Sequence, residues 1–248
     1  KGTRMKSPLP KVLHPVVGQP MVKRVLDVAK ALGAVQRRVV VGHGEALVRR
    51  VVEPMGAVAY SQKEQRGTAD AVKAADPASL DGTVMILSGD VPLIEVADMQ
   101  TVLAEFNELK ADIAVVTADL KNPGSLGRIV RQKGELRAIV EASDAGPDTL
   151  KIREINSGAY VAKADVLTKL LDKVKPNNAK GEYYLTDIIS IGIEEGYKVV
   201  AIKTRPAVAF GVNTQAELAR ASRIVFKRNR NRLMENGVVM IDPASVYA

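Results

Sequence analysis

Four short runs of mostly branched aliphatic residues set the architecture: RVVVG at 38–42, TVMIL at 83–87, IAVVT at 113–117 and KVVAI at 198–202. None alternates apolar with polar residues as a half-solvated strand would, so each reads as a strand covered on both faces. Between them lie segments with helical spacing. From Pro20 to Leu32, Met21, Val22, Val25, Leu26, Ala29 and Leu32 recur on one face, and Gly33 follows as a stop. Thr68–Ala75, Ala97–Leu109, Ala164–Val174, Leu185–Glu195 and Thr214–Glu235 read the same way, the last closed by Asn236-Gly237. This alternation predicts an α/β domain, with a mostly parallel mixed sheet and helices on both faces. After Leu120 the texture changes. Strand-like pieces at Gly127–Arg131, Glu135–Glu141 and Glu154–Val161, with turn residues between them, predict a small mixed insertion against the sheet edge. In open α/β sheets ligands bind beyond the carboxyl ends of the strands, so the loops that follow strands are where chemistry is sought.

Composition narrows the chemistry. The 248 residues are 46% hydrophobic and 26% charged, enough for a full core without disulfide or metal staples. No apolar run approaches the roughly 20 residues of a membrane span, and no apolar signal region follows the basic start, so no membrane partner is expected. Cysteine is absent, which excludes disulfides, thiolate nucleophiles and thiolate-bound zinc, and fits a cytoplasmic protein. His14 and His43 are too few for a histidine-rich metal site, and each reads as a local hydrogen-bonding residue.

The net charge of +8 is concentrated. Residues 1–50 hold eleven Lys and Arg against Asp27 and Glu45, and the stretch 218–234 carries Arg220, Arg223, Lys227, Arg228, Arg230 and Arg232 with no acid. Two basic patches on an otherwise acidic body point to an anionic partner, although the second also reads as a solvated helix face. Aromatic residues make up 4% of the chain and the basic clusters hold only Phe226, so nucleic acid is not expected. A phosphorylated small molecule fits better.

Several residues carry chemistry by type and place. Lys1-Gly2-Thr3-Arg4-Met5 with Leu9-Pro10-Lys11 suits a phosphate-cradling loop, and reads about equally as a basic tail. Asp90 follows a strand in a Gly-Asp-Val-Pro turn, which holds a carboxylate at the sheet's carboxyl edge or merely shapes the turn. Asn213 precedes a helix and serves equally as a ligand or an N-cap. Tyr184 stands at a helix start and reads equally as a core tyrosine.

The run KGTRMKSPLPKVLHPVVGQPM resembles the signature of the sugar-nucleotide pyrophosphorylases, which join a nucleoside triphosphate to a sugar 1-phosphate. Later segments stand in that family's order: QKEQRGT at 62–68, GDVPLI at 89–94, GRIV at 127–130, IVE at 139–141, EINSG at 154–158, GEYYLTD at 181–187 and GVN at 211–213. Together they resemble the uridylyltransferase domains of the bifunctional bacterial enzymes that make UDP-N-acetylglucosamine. The resemblance implies a Rossmann-like nucleotide-diphospho-sugar transferase fold. It implies transfer of UMP from UTP to N-acetylglucosamine 1-phosphate, giving UDP-N-acetylglucosamine and pyrophosphate for peptidoglycan and lipopolysaccharide precursors. It implies Mg²⁺ held by Asp90 and Asn213, with Arg4 and Lys11 neutralising the triphosphate. Gln62, Gly67 and Thr68 would contact the uracil. Gly127, Glu141, Asn156 and Tyr184 would line the sugar pocket, with Thr186 supporting its wall.

Against that family the chain departs in places. A strand and a Leu-Ala-Ala-Gly loop precede the Gly-Thr-Arg-Met there, whereas this chain opens at Lys1, so both are expected to be missing. Ser88, Leu126 and Ser143 replace residues that are commonly Tyr, Tyr and Lys, which leaves a different NTP or sugar 1-phosphate as an alternative. A non-catalytic sugar-nucleotide-binding relative is a further alternative, against which the presence of both Asp90 and Asn213 counts. The expected layout is a nucleotidyltransferase domain over 1–236 and, over 237–248, the start of a junction to a left-handed β-helix acetyltransferase domain. No hexapeptide repeat follows, so acetyl transfer is not expected of this chain. The resemblance also implies a homotrimer for the full-length relative, formed through that β-helix.

Overall fold

In a computed structural model, residues 3–248 are described; Lys1 and Gly2 of the expected phosphate loop lie outside them. After two short 3-10 turns at Thr3–Met5 and Lys11–Leu13 comes a small hairpin, β1 (Pro15–Val16) and β2 (Gln19–Pro20), which leads into α1 (Met21–Ala31). There follow β3 (Arg38–Val41), α2 (Glu45–Val52), β4 (Val58–Ser61), α3 (Thr68–Ala74), β5 (Thr83–Ile86), α4 (Val96–Glu108) and β6 (Ile113–Asp119). The second half contributes β7 (Arg128–Gln132), β8 (Glu135–Val140), the short α5 (Pro147–Leu150), β9 (Glu154–Lys163), α6 (Ala164–Leu171), α7 (Asp187–Glu194), β10 (Val199–Lys203) and α8 (Gln215–Glu235). No helix among the described residues is long and apolar enough to cross a membrane.

The expected α/β architecture is present, with a mixed sheet at its centre. Six strands hydrogen-bond in the order β10-β6-β9-β7-β8, with β5 on β9. From Ile113 to Ala118 every side chain of β6 is buried. Ile113 and Val115 face one layer, where Leu167 and Leu170 of α6 and Ile188 and Ile189 of α7 pack. Ala114 and Val116 face the other, against Met99, Val102 and Phe106 of α4. Two-sided covering is why IAVVT does not alternate, and each fully buried Val or Ile there stabilises the fold by roughly 1.5–3 kcal/mol.

Three expectations are corrected. The parallel share is smaller than predicted: β10–β6 and β3–β4 run parallel, while β9 is antiparallel to β5, β6 and β7. The segment assigned to an edge insertion causes this. β9 is not at an edge but in the middle, with β6 along one side and β5 then β7 along the other. Its burial pattern, buried at nearly every position, is that of a central strand. Only β7 and β8 form the peripheral hairpin that the sequence suggested. Nor are β3 and β5 fully covered; most of their side chains keep partial exposure. Among the described residues β3 and β4 make a separate two-stranded ladder, packed on α1 and α2 through Val22, Leu26, Val41, Val48, Val52 and Ala59.

The long helix α8 is capped by Thr214, whose hydroxyl accepts the Glu217 N–H at 3.2 Å while the Glu217 carboxylate accepts the Thr214 N–H at 2.9 Å. Gly237, at φ +91°, ends it as expected. Its basic run is not a uniform solvated face. Arg228 turns inward to the Leu93 carbonyl at 3.0 Å, Arg230 donates to the Val246 carbonyl at 2.7 Å, and Arg220 stacks 5.3 Å from the Phe210 ring centroid.

Candidate functional site

The loops after β5 and before α8 are sewn together at the backbone. The Val212 N–H donates to the Asp90 carbonyl at 2.9 Å, which sets Asn213 beside Asp90. Because Thr214 is the N-cap, Asn213 is released from that duty. Its own N–H is fixed by Glu217 Oε2 at 2.7 Å, and its side-chain oxygen faces Asp90 and Lys11. Lys11 Nζ donates to Asp90 Oδ2 and, at 2.9 Å, to Asn213 Oδ1. Arg4 Nη2 lies 3.4 Å from the same Asn213 oxygen. The Asp90 carboxylate therefore does not serve its own turn; it accepts from a cation brought in by another loop. Gln215 Nε2 donates to the Met5 carbonyl at 3.1 Å and holds the Arg4 segment against the start of α8.

Two arginines fix the Asp90 loop from behind. Arg24 of α1 donates to the Pro92 carbonyl at 3.3 Å, and Arg228 of α8 to the Leu93 carbonyl at 3.0 Å. Burial draws both guanidinium groups below their ordinary pKa, and Arg228 lowers Arg24 further. Glu95, 3.3 Å from Arg228, works in the opposite direction. Neither arginine stood out in the sequence as more than part of a charge run.

At the other side of this row, the loop after β4 carries Gln62, Gly67 and Thr68. Gln62 Nε2 donates to Asp70 Oδ2 at 2.8 Å and to the Gly67 carbonyl at 3.2 Å, so the amide nitrogen is held and its oxygen is the end turned outward. Gly67 has φ +127°, and a Cβ there would fall inside contact of the Tyr183 carbonyl and 2.7 Å from its nitrogen. The Tyr183 N–H donates to the Arg66 carbonyl at 2.8 Å, and the Ala69 N–H to the Tyr183 carbonyl at 2.9 Å. The Thr68 hydroxyl accepts the Leu185 N–H at 2.9 Å. QRGT and GEYYLTD, more than a hundred residues apart, thus form one joint.

The third group lies across the sheet. Ser88, two residues before Asp90, reaches the Gly158 carbonyl at 3.4 Å, and the Gly158 N–H donates to Asn156 Oδ1 at 2.9 Å. Asn156 Nδ2 donates to Tyr160 Oη at 2.7 Å, and its backbone N–H to the Gly127 carbonyl at 2.9 Å. A Cβ on Gly127 would come within 3.3 Å of Glu141 Oε1. Burial pushes the Glu141 carboxyl above the usual carboxylate range; Lys180 pulls it back, while Asp144 and Asp187 add to the rise. Asp187 is raised as well, by burial and then by Asp144. Tyr184 and Thr186 are 8% and 4% exposed; among the described residues the Tyr184 hydroxyl oxygen has no hydrogen-bond partner, whereas Thr186 faces the Glu141 carboxyl and works against its rise. An unpaired buried hydroxyl costs about 1–3 kcal/mol, so the Tyr184 oxygen is a polar group that the described residues leave unsatisfied.

All twelve residues singled out by the sequence thus fall into three adjoining groups: Arg4, Lys11, Asp90 and Asn213; Gln62, Gly67 and Thr68; Gly127, Glu141, Asn156, Tyr184 and Thr186. Sequence reasoning missed their supports: Asp70 behind Gln62, Tyr160 behind Asn156, and Arg24 and Arg228 behind Asp90. No periodicity marks these four. His14 is buried, and among the described residues its Nε2 is without a partner rather than in the local hydrogen bond expected of it.

Residues 1–154 match the MobA-like NTP transferase domain family. The bifunctional protein GlmU of Bdellovibrio bacteriovorus is 58% identical over 247 residues, covering 100% of this chain and 54% of that protein. The bifunctional protein GlmU of Clostridium novyi is 41% identical over 250 residues, covering 100% of this chain and 55% of that protein. The chain thus spans about half the length of the curated relatives it matches. A crystal structure of apo UDP-glucose pyrophosphorylase superposes with a TM-score of 0.73 at 15% identity, covering 92% of this chain and 95% of that one, and so shares its fold.

Proposed function

Because the chain belongs to the MobA-like NTP transferase domain family, we propose that it transfers UMP from UTP to N-acetylglucosamine 1-phosphate, releasing pyrophosphate and UDP-N-acetylglucosamine. The observation that carries this reading is the convergence of Asp90 Oδ2 and Asn213 Oδ1 on one cation, with Arg4 alongside. The GlmU relatives, matched over the whole of this chain, favour these substrates over another NTP or sugar phosphate. The reading extends to the full protein of which relatives are known: a junction over 237–248, a trimer formed through a β-helix, and work in the cytoplasm.

The donor set suits Mg²⁺. It offers two hard oxygens at a point where a positive charge is already stable. Among the described residues no group of three or more His, Cys, Asp or Glu could hold a metal, so Asp90 and Asn213 would leave most positions to phosphate oxygens and water. When bound, Mg²⁺ would supply Lewis-acid stabilisation of charge on the reacting phosphates.

The protein's own groups do the rest by position. An oxygen of the sugar phosphate forms the new bond to the α-phosphorus of UTP, and the bond from that phosphorus to the α,β-bridging oxygen breaks, its electrons leaving with pyrophosphate. The attacking oxygen is already anionic, so no general base is needed. Arg4 and Lys11 neutralise the triphosphate and the charge that builds on the leaving group. Gln62, its nitrogen tied to Asp70, presents an acceptor that complements the imide N–H of uracil. Gly67 and Thr68 hold that loop at its width. Glu141, Asn156, Tyr184 and Thr186 orient the sugar over Gly127, converting an encounter between two anions into a positioned reaction.

Pyrophosphate release from UTP and N-acetylglucosamine 1-phosphate, with Mg²⁺ and with EDTA, tests the reading. Metal-dependent release that needs the sugar phosphate is expected. UTP binding without release, together with turnover of another sugar 1-phosphate, would overturn the substrate assignment.

A further inference from the structure

Lys11 stands where a metal would have to stand. Its ammonium takes up the single point on which the Asp90 carboxylate and, at 2.9 Å, the Asn213 carbonyl oxygen converge. A Mg²⁺ ion draws its oxygens in to about 2.0–2.1 Å and admits no ammonium inside that shell, so the two cations exclude one another. The main chain beneath both oxygen donors is tied down, and the lysine has the longest reach. The Asp90 carbonyl is fixed by Val212 and the Asn213 N–H by Glu217, whereas Lys11 ends a flexible four-carbon stem. The lysine and aspartate side chains are 26% and 24% exposed, partly shielded from water but with room for the lysine to swing out.

We propose that Lys11 is a built-in competitor for the metal: its ammonium neutralises Asp90 and occupies the Asn213 oxygen until a metal–polyphosphate arrives, then moves to the phosphates. The identity of that anion rests on the function proposed above; the competition does not. One lysine thereby holds two successive partners. A bare divalent ion must displace the ammonium without offering it a new anion, while a metal arriving with a triphosphate supplies one. Metal and nucleotide affinities are then coupled through Lys11, and loading of the site with metal alone is suppressed.

The test is Mn²⁺ binding to the nucleotide-free protein, followed by electron paramagnetic resonance. Lys11→Met and Lys11→Gln should each tighten Mn²⁺ about tenfold, the gain expected if Lys11 holds the site in roughly nine molecules of ten. Arg4→Met serves as the control for charge alone, since Arg4 reaches Asn213 but has no contact to Asp90; it should gain markedly less. Unchanged or weaker binding in both Lys11 variants overturns the proposal, as does an equal gain from Arg4→Met. Asp90→Ala separates the two readings. If it abolishes Mn²⁺ binding while the Lys11 variants show no gain, the metal site stands and the competitor falls; if it leaves binding intact, the metal assignment falls too.

Discussion

Asn156 and Tyr160 are joined by a buried hydrogen bond, Nδ2 to Oη at 2.7 Å, although they lie four residues apart on the same strand. A straight strand would separate their Cα atoms by about 13 Å. Gly158, at φ +81°, breaks the extended path between them, and the β6–β9 register shifts opposite, between Val115 and Thr117. The bulge turns Asn156 back toward Tyr160 and, with the Gly158 N–H on Oδ1, locks both ends of its amide. On the proposed function, Tyr160 would position the Asn156 amide at the sugar pocket. Tyr160→Phe leaves the buried Nδ2 donor unpaired, and should lower unfolding stability by about 1–3 kcal/mol in urea titration. It should raise KM for the sugar phosphate several-fold with KM for UTP unchanged. Equal effects on both substrates would show a general loosening instead.

That bond shows where the sequence stops being legible. Strand and helix positions follow from local period, and the candidate site residues were proposed from ordered motifs, because both are written within a few neighbours. The place of β9 is not. EINSGAYVAK has the burial of a central strand, but its partners are set by long-range pairing, and the turn residues around it suggested an edge. Arg228 was legible only as one charge in a run; that it points inward follows from its position opposite the Leu93 carbonyl. The short elements α2 and β4 were missed, because EALVRRVV and VAYS offer too few residues for a period to show.

Glu141 gives a pH prediction. Its folded pKa is raised, chiefly by burial, and that of Asp187 is raised too, so the native state holds more protons than the unfolded one just above the ordinary carboxylate value of 4.5. Their contribution to stability is present below that value and is lost as pH rises through the folded pKa. Glu141→Gln removes its share of the loss. Thermal melts without ligand should show the variant more stable than the parent near neutral pH, with the gap closing as pH falls toward 4.5. Binding of the sugar phosphate should weaken about tenfold or more, as expected for a lost hydrogen bond to a charged group. A parent that gains stability from pH 5 to 8 relative to the variant would contradict the burial assignment.

Gly67 is required by two independent constraints. Its φ of +127° is disfavoured for any residue with a Cβ, and that Cβ would strike the Tyr183 backbone, which cannot swing aside as a side chain would. Gly67→Ala should cost on the order of 1–3 kcal/mol of stability or more. Because Tyr183 links to Leu185 and α7, the damage should reach beyond the base loop. Hydrogen exchange is expected to quicken at the Ala69, Tyr183 and Leu185 amides together. Exchange that quickens at Ala69 alone would mean the joint between QRGT and GEYYLTD is weaker than the geometry implies.

Arg228 offers the most direct link between the basic helix and the Asp90 loop. Its guanidinium donates to the Leu93 carbonyl at 3.0 Å and faces Glu95 at 3.3 Å, three and five residues past Asp90. Arg24 holds Pro92 from the other side, and the two buried cations repel each other. Their retention against that repulsion is understandable if the loop must be rigid where Asp90 presents its carboxylate. Arg228→Met keeps the aliphatic packing and removes the donor. It should cost about 1–3 kcal/mol in stability, less whatever relief Arg24 gains. The more telling effect is on metal use: the Mg²⁺ concentration for half-maximal pyrophosphate release should rise several-fold, with KM for the sugar phosphate unmoved. Arg228→Lys, which restores the charge and one donor, should recover part of that shift. If the Met variant unfolds more easily but its metal dependence is unaltered, α8 supports the fold without setting the Asp90 loop.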